Sequence, residues 1–215
     1  MNAFELLELS RVGNEFSQKL KKAPPGTSYI PRINEVLNSL SKNQQTLLRE
    51  KFNKNFSDIE QLFDKLCEIL VAYRFLNASP IFGDDSNGVP DLFLRNNGKY
   101  IEVKRINNSD FQNAHTRTML KDKVWVKTTG VISEESQKEC ALYKKSYKLI
   151  NKAVCQLEGK NGLVFLVYNL DQMNHFIDLH TRENKFIGVI QSYIQNLNLK
   201  DISAEIINQN KLFRN

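Results

Sequence analysis

Residues 88–106, GVPDLFLRNNGKYIEVKRI, decide how this sequence is read. Two short runs, DLFLRN and KYIEVKRI, are rich in β-branched and aromatic residues and are joined by NNG, which predicts a β-hairpin. Asn97-Gly98 is the preferred central pair of a two-residue type I′ turn. That turn sets Leu94 opposite Ile101, Phe93 opposite Glu102, Leu92 opposite Val103 and Asp91 opposite Lys104. Side chains alternate between the faces of a strand. Leu92, Leu94, Ile101 and Val103 therefore share an apolar face, expected to pack on a long helix that follows. Asp91, Phe93, Glu102 and Lys104 share the other, with the three charges about 5–8 Å apart at Cβ. Carboxylates that close repel unless a cation or proton intervenes. Two hard oxygen ligands on a rigid hairpin suit Mg²⁺, which keeps several waters and takes one or two carboxylates. The amine beside them can orient an attacking water. Solvent-facing charges on an ordinary edge hairpin are the alternative that the residues themselves leave open.

Upstream, the periodicity predicts a helix over 3–21, ended by the KKAPPGTSYIP segment, and a second helix over RINEVLNSL with Pro31 in its first turn. Ser41 is placed to cap a third helix, KNQQTLLREKF, and Ser57 a fourth, DIEQLFDKLCEILVAYRFL. Leu62, Leu66, Ile69, Leu70, Tyr73 and Leu76 form the apolar stripe of the fourth. The segment SPIFGDDSNGVP reads as loop. Downstream, KVWVKTT reads as a short strand holding Trp125 in the core, residues 133–158 as one long helix, and GLVFLVYNL as a central strand. HFIDLH suggests a strand and FIGVIQSYIQNL a helix, while ISAEIINQNKLFRN carries no clear period. The order implies an α/β (α+β) domain over 57–215 preceded by an N-terminal helical region over 1–56.

Pro90-Asp91 followed by Glu102-Val103-Lys104 resembles the PD-(D/E)xK motif of a nuclease superfamily with a restriction-endonuclease-like core. The resemblance covers roughly residues 60–170 and rests on a short, degenerate motif in a helix–hairpin–helix–strand context. It implies a central mixed β-sheet flanked by helices, Asp91 and Glu102 as Mg²⁺ ligands, the Val103 carbonyl as a further ligand, and Lys104 as the catalytic lysine. Mn²⁺ is the expected substitute metal. In that superfamily the helix before the hairpin often adds an acid. Glu68 in EILVAYRFL fits that place, and Asp64, one turn earlier, competes with it. The helix after the ExK strand often supplies a polar or basic residue near the scissile phosphate, which points to Lys152 and Gln156 on a face shared with Lys145 and Lys148. The implied function is a Mg²⁺-dependent DNA endonuclease of restriction or defence type. The other reading is a non-catalytic nucleic-acid-binding or assembly module on the same fold.

The remaining composition agrees with a soluble nucleic-acid partner. The net charge is +6, and residues 99–127, including Arg105, hold seven Lys and Arg against three acids. A polyanion is the natural partner of such a balance. Cys67, Cys140 and Cys155 form no CxxC pair, and His115, His175 and His180 show no metal-ligand spacing. The three cysteines are expected to be buried or half-buried apolar residues. No signal peptide or membrane span is read, which points to the cytoplasm. No nucleotide-binding loop is present. Double-strand cleavage would call for a homodimer, which the N-terminal helices could build.

Overall fold

The computed structural model describes residues 1–22, 29–53, 56, 58–84, 88–106, 132–169 and 179–214, with side chains described in all but 132–141, 179–182 and 214. Among these residues five helices come first: α1 (Ala3–Leu7), α2 (Arg11–Lys21), α3 (Ile30–Ser39), α4 (Lys42–Phe52) and α5 (Ile59–Arg74). The expected helix over 3–21 is two helices. Ser10 adopts an extended conformation and its side chain accepts the Gly13 N–H at 3.1 Å, so it starts a new helix. Ser41 caps α4 as expected. Asp58 caps α5, its Oδ1 accepting the Gln61 N–H at 3.1 Å, and Ser57 lies outside the described residues.

Among the described residues the sheet has five strands in the order β1 (Pro80–Phe82), β2 (Leu92–Leu94), β3 (Lys99–Ile106), β4 (Gly162–Tyr168) and β5 (Ile202–Asn208). The first three strands are antiparallel, and β3, β4 and β5 run parallel. Helix α6 (Ile132–Leu157) lies between β3 and β4 in the chain, α7 (Leu179–Asn196) lies between β4 and β5, and α8 (Gln209–Arg214) follows β5. The chain is thus an α+β protein with an open mixed sheet flanked by helices. No helix among the described residues is long and apolar enough to cross a membrane.

Several elements differ from the sequence reading. Pro80–Phe82 is a strand and not loop; three residues are too few to show a period. The unplaced C-terminal stretch supplies β5 and α8. Leu179 and His180 open α7, so HFIDLH is not a strand at that end, and its first four residues lie outside the described set. KVWVKTT with Trp125, the loop over 107–122, and His115 and His175 also lie outside it. Cys67 is buried, whereas Cys155 is exposed, contrary to expectation.

Each face of the sheet has its own core. Leu92, Leu94, Ile101 and Val103 join Leu163, Phe165 and Val167 against α1, α3, α4 and α5. The apolar face of the hairpin therefore packs on the helices that precede it and not, as expected, on α6. Helices α6 and α7 cover the opposite face through Ile150, Ala153, Leu157, Phe186 and Ile190, which meet Ile106, Val164, Leu166 and Tyr168. Residues of α1, α3 and α4 share one buried cluster with α5 and the sheet. Helix α4 also closes the edge of the sheet. The Gln44 side chain accepts the Phe82 N–H at 2.6 Å and donates to the Phe82 carbonyl at 3.2 Å, replacing the strand that β1 lacks on that side.

The hairpin register is two residues away from the expected one. Leu92 pairs with Ile101, Phe93 with Tyr100 and Leu94 with Lys99, so Arg95 through Gly98 form a four-residue loop. A type I′ turn needs positive φ at both central residues. Only Gly98 has it, at 64°, and its N–H closes the loop on the Leu94 carbonyl at 2.9 Å.

Candidate active site

A shift of two residues leaves the faces unchanged, because side chains alternate with period two. What changes is which residues lie opposite each other: continuing the observed register past Leu92 sets Asp91 against Glu102. The contacts agree. The Asp91 N–H donates to Glu102 Oε2 at 3.3 Å, and Asp91 Oδ2 accepts the Val103 N–H at 2.8 Å. The Lys104 ammonium ion-pairs with Glu102 Oε1. Glu102 is fully buried.

The chain N-terminal to Asp91 is held by β1. The Gly83 N–H donates to the Asp91 carbonyl at 2.9 Å. A Cβ at Gly83 would sit 2.1 Å from the Pro90 carbonyl oxygen, so only glycine permits this approach. Phe93 and Tyr100, the next cross-strand pair on the same face, pack with tilted rings whose centroids are 4.7 Å apart.

Glu68, on α5, is buried between two lysines. Lys51 Nζ lies 3.3 Å from its Oε2 and Lys65 Nζ 2.8 Å from its Oε1. Of the two acids weighed for this helix, Asp64 is turned elsewhere: its Oδ1 accepts from Arg105 Nε at 2.7 Å. The Asp91 carboxyl is pushed up to about 7, by burial first and then by the negative charges of Glu68 and Glu102. Lys104 and the Val103 N–H pull it back only in part. Two other carboxylates thus bear on the charge of Asp91.

The donor set can be tested against a metal. Among the described residues no group of three His, Cys, Asp or Glu side chains is placed to share one ion. The available set is Asp91 and Glu102, joined by backbone. The Val103 N–H points toward Asp91, and in a strand a residue's carbonyl projects to the same side as its N–H. Two carboxylates, one carbonyl and water fit Mg²⁺, and the raised Asp91 carboxyl marks a site short of positive charge. Glu68, with both oxygens on lysines, is a neighbour of this set and not a member of it.

Arg105 does not take the phosphate-binding place expected of it. It is buried on the opposite face, donating to Asp64, to the Glu60 carbonyl at 2.9 Å, to Glu60 Oε2 at 2.5 Å and to Gln209 Oε1 at 3.2 Å. Alternation forces this, since Arg105 shares its face with Val103 and not with Lys104. On α6, Lys148 and Lys152 are exposed while Lys145 and Gln156 are half-buried. No described contact joins these four to the carboxylates. A shallow cavity of about 440 Å³ between α6 and α7, lined by Tyr147, Lys185 and Tyr193 among others, includes none of the acids.

The sequence reading missed Lys51 and Lys65. A signal for Lys51 was present: it falls between Leu48 and Phe52 on the apolar stripe of α4, where a lysine requires a buried partner. Comparison with protein-family models, with curated proteins and with solved structures gives no match for this chain.

Proposed function

We propose that this protein is a divalent-metal-dependent DNA endonuclease of the PD-(D/E)xK type, built on a restriction-endonuclease-like core. The observation that carries the reading is the interlock of Asp91 with the ExK strand. Asp91 lies opposite Glu102 and bonds to Val103, and Lys104 lies against Glu102. The setting supports it: α5 precedes the hairpin, α6 follows it, and β4 pairs parallel to the ExK strand. A structural hairpin gains nothing from burying a glutamate and raising an aspartate beside it.

In this reading Asp91, Glu102 and the Val103 carbonyl hold Mg²⁺ or Mn²⁺. The ion, when bound, lowers the pKa of water and stabilises charge on a phosphoryl oxygen. Lys104 Nζ, fixed by Glu102, orients the water that attacks phosphorus in line with the leaving oxygen. Glu102 keeps the lysine aimed. The exposed Lys148 and Lys152 offer cations to the phosphate backbone.

A second reading, a metal-free nucleic-acid-binding module, draws on one observation: ammonium groups already neutralise Glu68 and Glu102. Cleavage assays separate the two. Supercoiled, linear and single-stranded DNA are incubated with Mg²⁺, Mn²⁺ or EDTA and with wild type, Asp91→Ala or Lys104→Ala. Metal-dependent cutting lost in both variants supports the nuclease. Cutting that survives Asp91→Ala refutes it, and DNA binding without cutting or metal uptake favours the module.

A further inference from the structure

The cavity between α6 and α7 has no part in the function proposed above, and its walls are not those of a plain gap between helices. It holds about 440 Å³, a size that suits a nucleotide-sized group. Tyr147 of α6 and Tyr193 of α7 both line it, and their rings stack with centroids 4.0 Å apart. The stack continues from Tyr147 to Tyr143 and on to Phe186, with centroids 6.4 and 6.0 Å apart. All three tyrosines are only half-buried. The Tyr193 hydroxyl donates to Asn151 Oδ1 at 2.8 Å, which fixes that ring. Lys185, Ser192 and Asn196, all exposed, add polar groups from α7. Gly188 lies among them, and a Cβ there would meet nothing within 4 Å.

The charge around the cavity is one-sided. Residues 142–157 and 183–196 hold five lysines and one acid, Glu183. Glu183 is engaged elsewhere, accepting from the Tyr168 hydroxyl and from Asn208 Nδ2 at 3.1 Å. Lys144, Lys148 and Lys152 are exposed at steps of four, about 6 Å apart along α6. Such a row of cations suits a linear polyanion better than a single phosphate. Rings beside the row suit bases, since every base has a π-face. A duplex hides those faces, so the match is to an unpaired strand.

We propose that the groove between α6 and α7 binds single-stranded DNA, its lysines on the phosphates and Tyr147 and Tyr193 against an unpaired base. The groove lies on the side of the sheet that carries Glu102 and Lys104. Tyr100 and Ile106, which alternate onto that face, pack with α6 and α7. None of the acids lines the groove, so it holds a strand without cutting it. The inference rests on DNA as the partner in the proposed function and not on cleavage.

The test is fluorescence anisotropy in EDTA on the full chain, with a labelled thymidine single strand of about twelve nucleotides and a blunt duplex of the same length. Wild type should prefer the single strand. Tyr147→Leu and Tyr193→Leu, which keep an apolar side chain and lose the ring, should each weaken single-strand binding about tenfold and leave duplex binding unchanged. Tyr193→Phe should keep wild-type affinity. Should both leucine variants fail to fold, Gly188→Glu carries the comparison, because a helix tolerates glutamate better than glycine and the added side chain puts bulk and negative charge into the cavity. It should lose single-strand affinity by a similar factor, and Gly188→Ala should not. Single-strand binding that survives every folded variant, or that falls equally with duplex binding, overturns the groove. The proposed function then stands if wild type still cuts DNA with Mg²⁺. Wild type that neither binds nor cuts either form overturns both.

Discussion

Replacing Asp91 by asparagine should stabilise the metal-free protein, although it removes a residue placed at the centre of the site. The substitution keeps shape and an oxygen to accept the Val103 N–H, now 2.8 Å from Oδ2, and removes only the charge. In the folded chain the Asp91 carboxyl titrates at about 7, against an ordinary 3.8. A raised carboxyl means that the folded state holds its proton more firmly than the unfolded state does. Below about pH 4 both states are protonated at this position and no penalty exists. Between about pH 4 and pH 7 the unfolded chain releases the proton first, and wild type loses up to about 1.4 kcal/mol per pH unit. Above pH 7 the loss levels off at about 4 kcal/mol as an upper bound. Asparagine does not titrate, so the advantage of Asp91→Asn over wild type should be small at pH 4.5 and grow to a plateau near pH 8.

Urea unfolding in EDTA at half-unit steps of pH measures this directly. A difference between the two proteins that does not change with pH would refute the claim that Asp91 is held as an electrostatically strained carboxylate. The same assay in Mg²⁺ tests why the strain is kept. At pH 8 and a Mg²⁺ concentration about a hundred times Kd, wild type should gain about 2.7 kcal/mol and the variant far less. Equal gains in both would refute Asp91 as a ligand. Sites that bind charge are commonly stable only with that charge present, which is the usual form of a trade between stability and function.

Other perturbations have equally definite outcomes. Lys104→Met should reduce metal-dependent cleavage by about 10²–10⁴-fold while leaving Mn²⁺ binding in place, measured by single-turnover rates beside a metal titration. Arg105→Ala should cost about 2–3 kcal/mol in urea unfolding, less than a fully buried pair because Glu60 and Asp64 can rehydrate, and should leave the salt dependence of DNA binding unchanged. Lys148→Ala and Lys152→Ala should each reduce the slope of log affinity against log salt by about one, with no change in stability. Gly83→Ala should cost about 2 kcal/mol, since its Cβ would displace the Pro90 carbonyl and with it Asp91, and Mn²⁺ affinity should fall in parallel.

What was legible in the sequence follows from which signals are local. The caps at Ser41 and the long helix over 132–157 rest on contacts a few residues apart, and both are present. The strand 162–168 shows itself because a parallel strand covered on both sides is apolar throughout. β1 and β5 are edge strands, one too short and the other only half-buried, so neither carries a pattern strong enough to read. The covering of the hairpin was misjudged for a related reason. Periodicity reports that a face is apolar but not which helix covers it, and here the earlier helices do so.

The acidic site survived an incorrect turn because of parity. Asn97-Gly98 suggested two central residues with positive φ, whereas the chain uses only Gly98 in that region and takes two more residues into the loop. A slip of one residue would have moved Glu102 and Lys104 to the face of Leu92 and exposed Ile101. A slip of two keeps every side chain on its face and moves Asp91 from opposite Lys104 to opposite Glu102. The charges and their common face are therefore properties of the strand pattern, robust to the turn, while their pairing depends on the loop. Glu68 and Lys51 belong to neither category. Their ion pair joins α4 to α5 through packing between helices, and only a lysine on the apolar stripe of α4 marks that packing in the sequence.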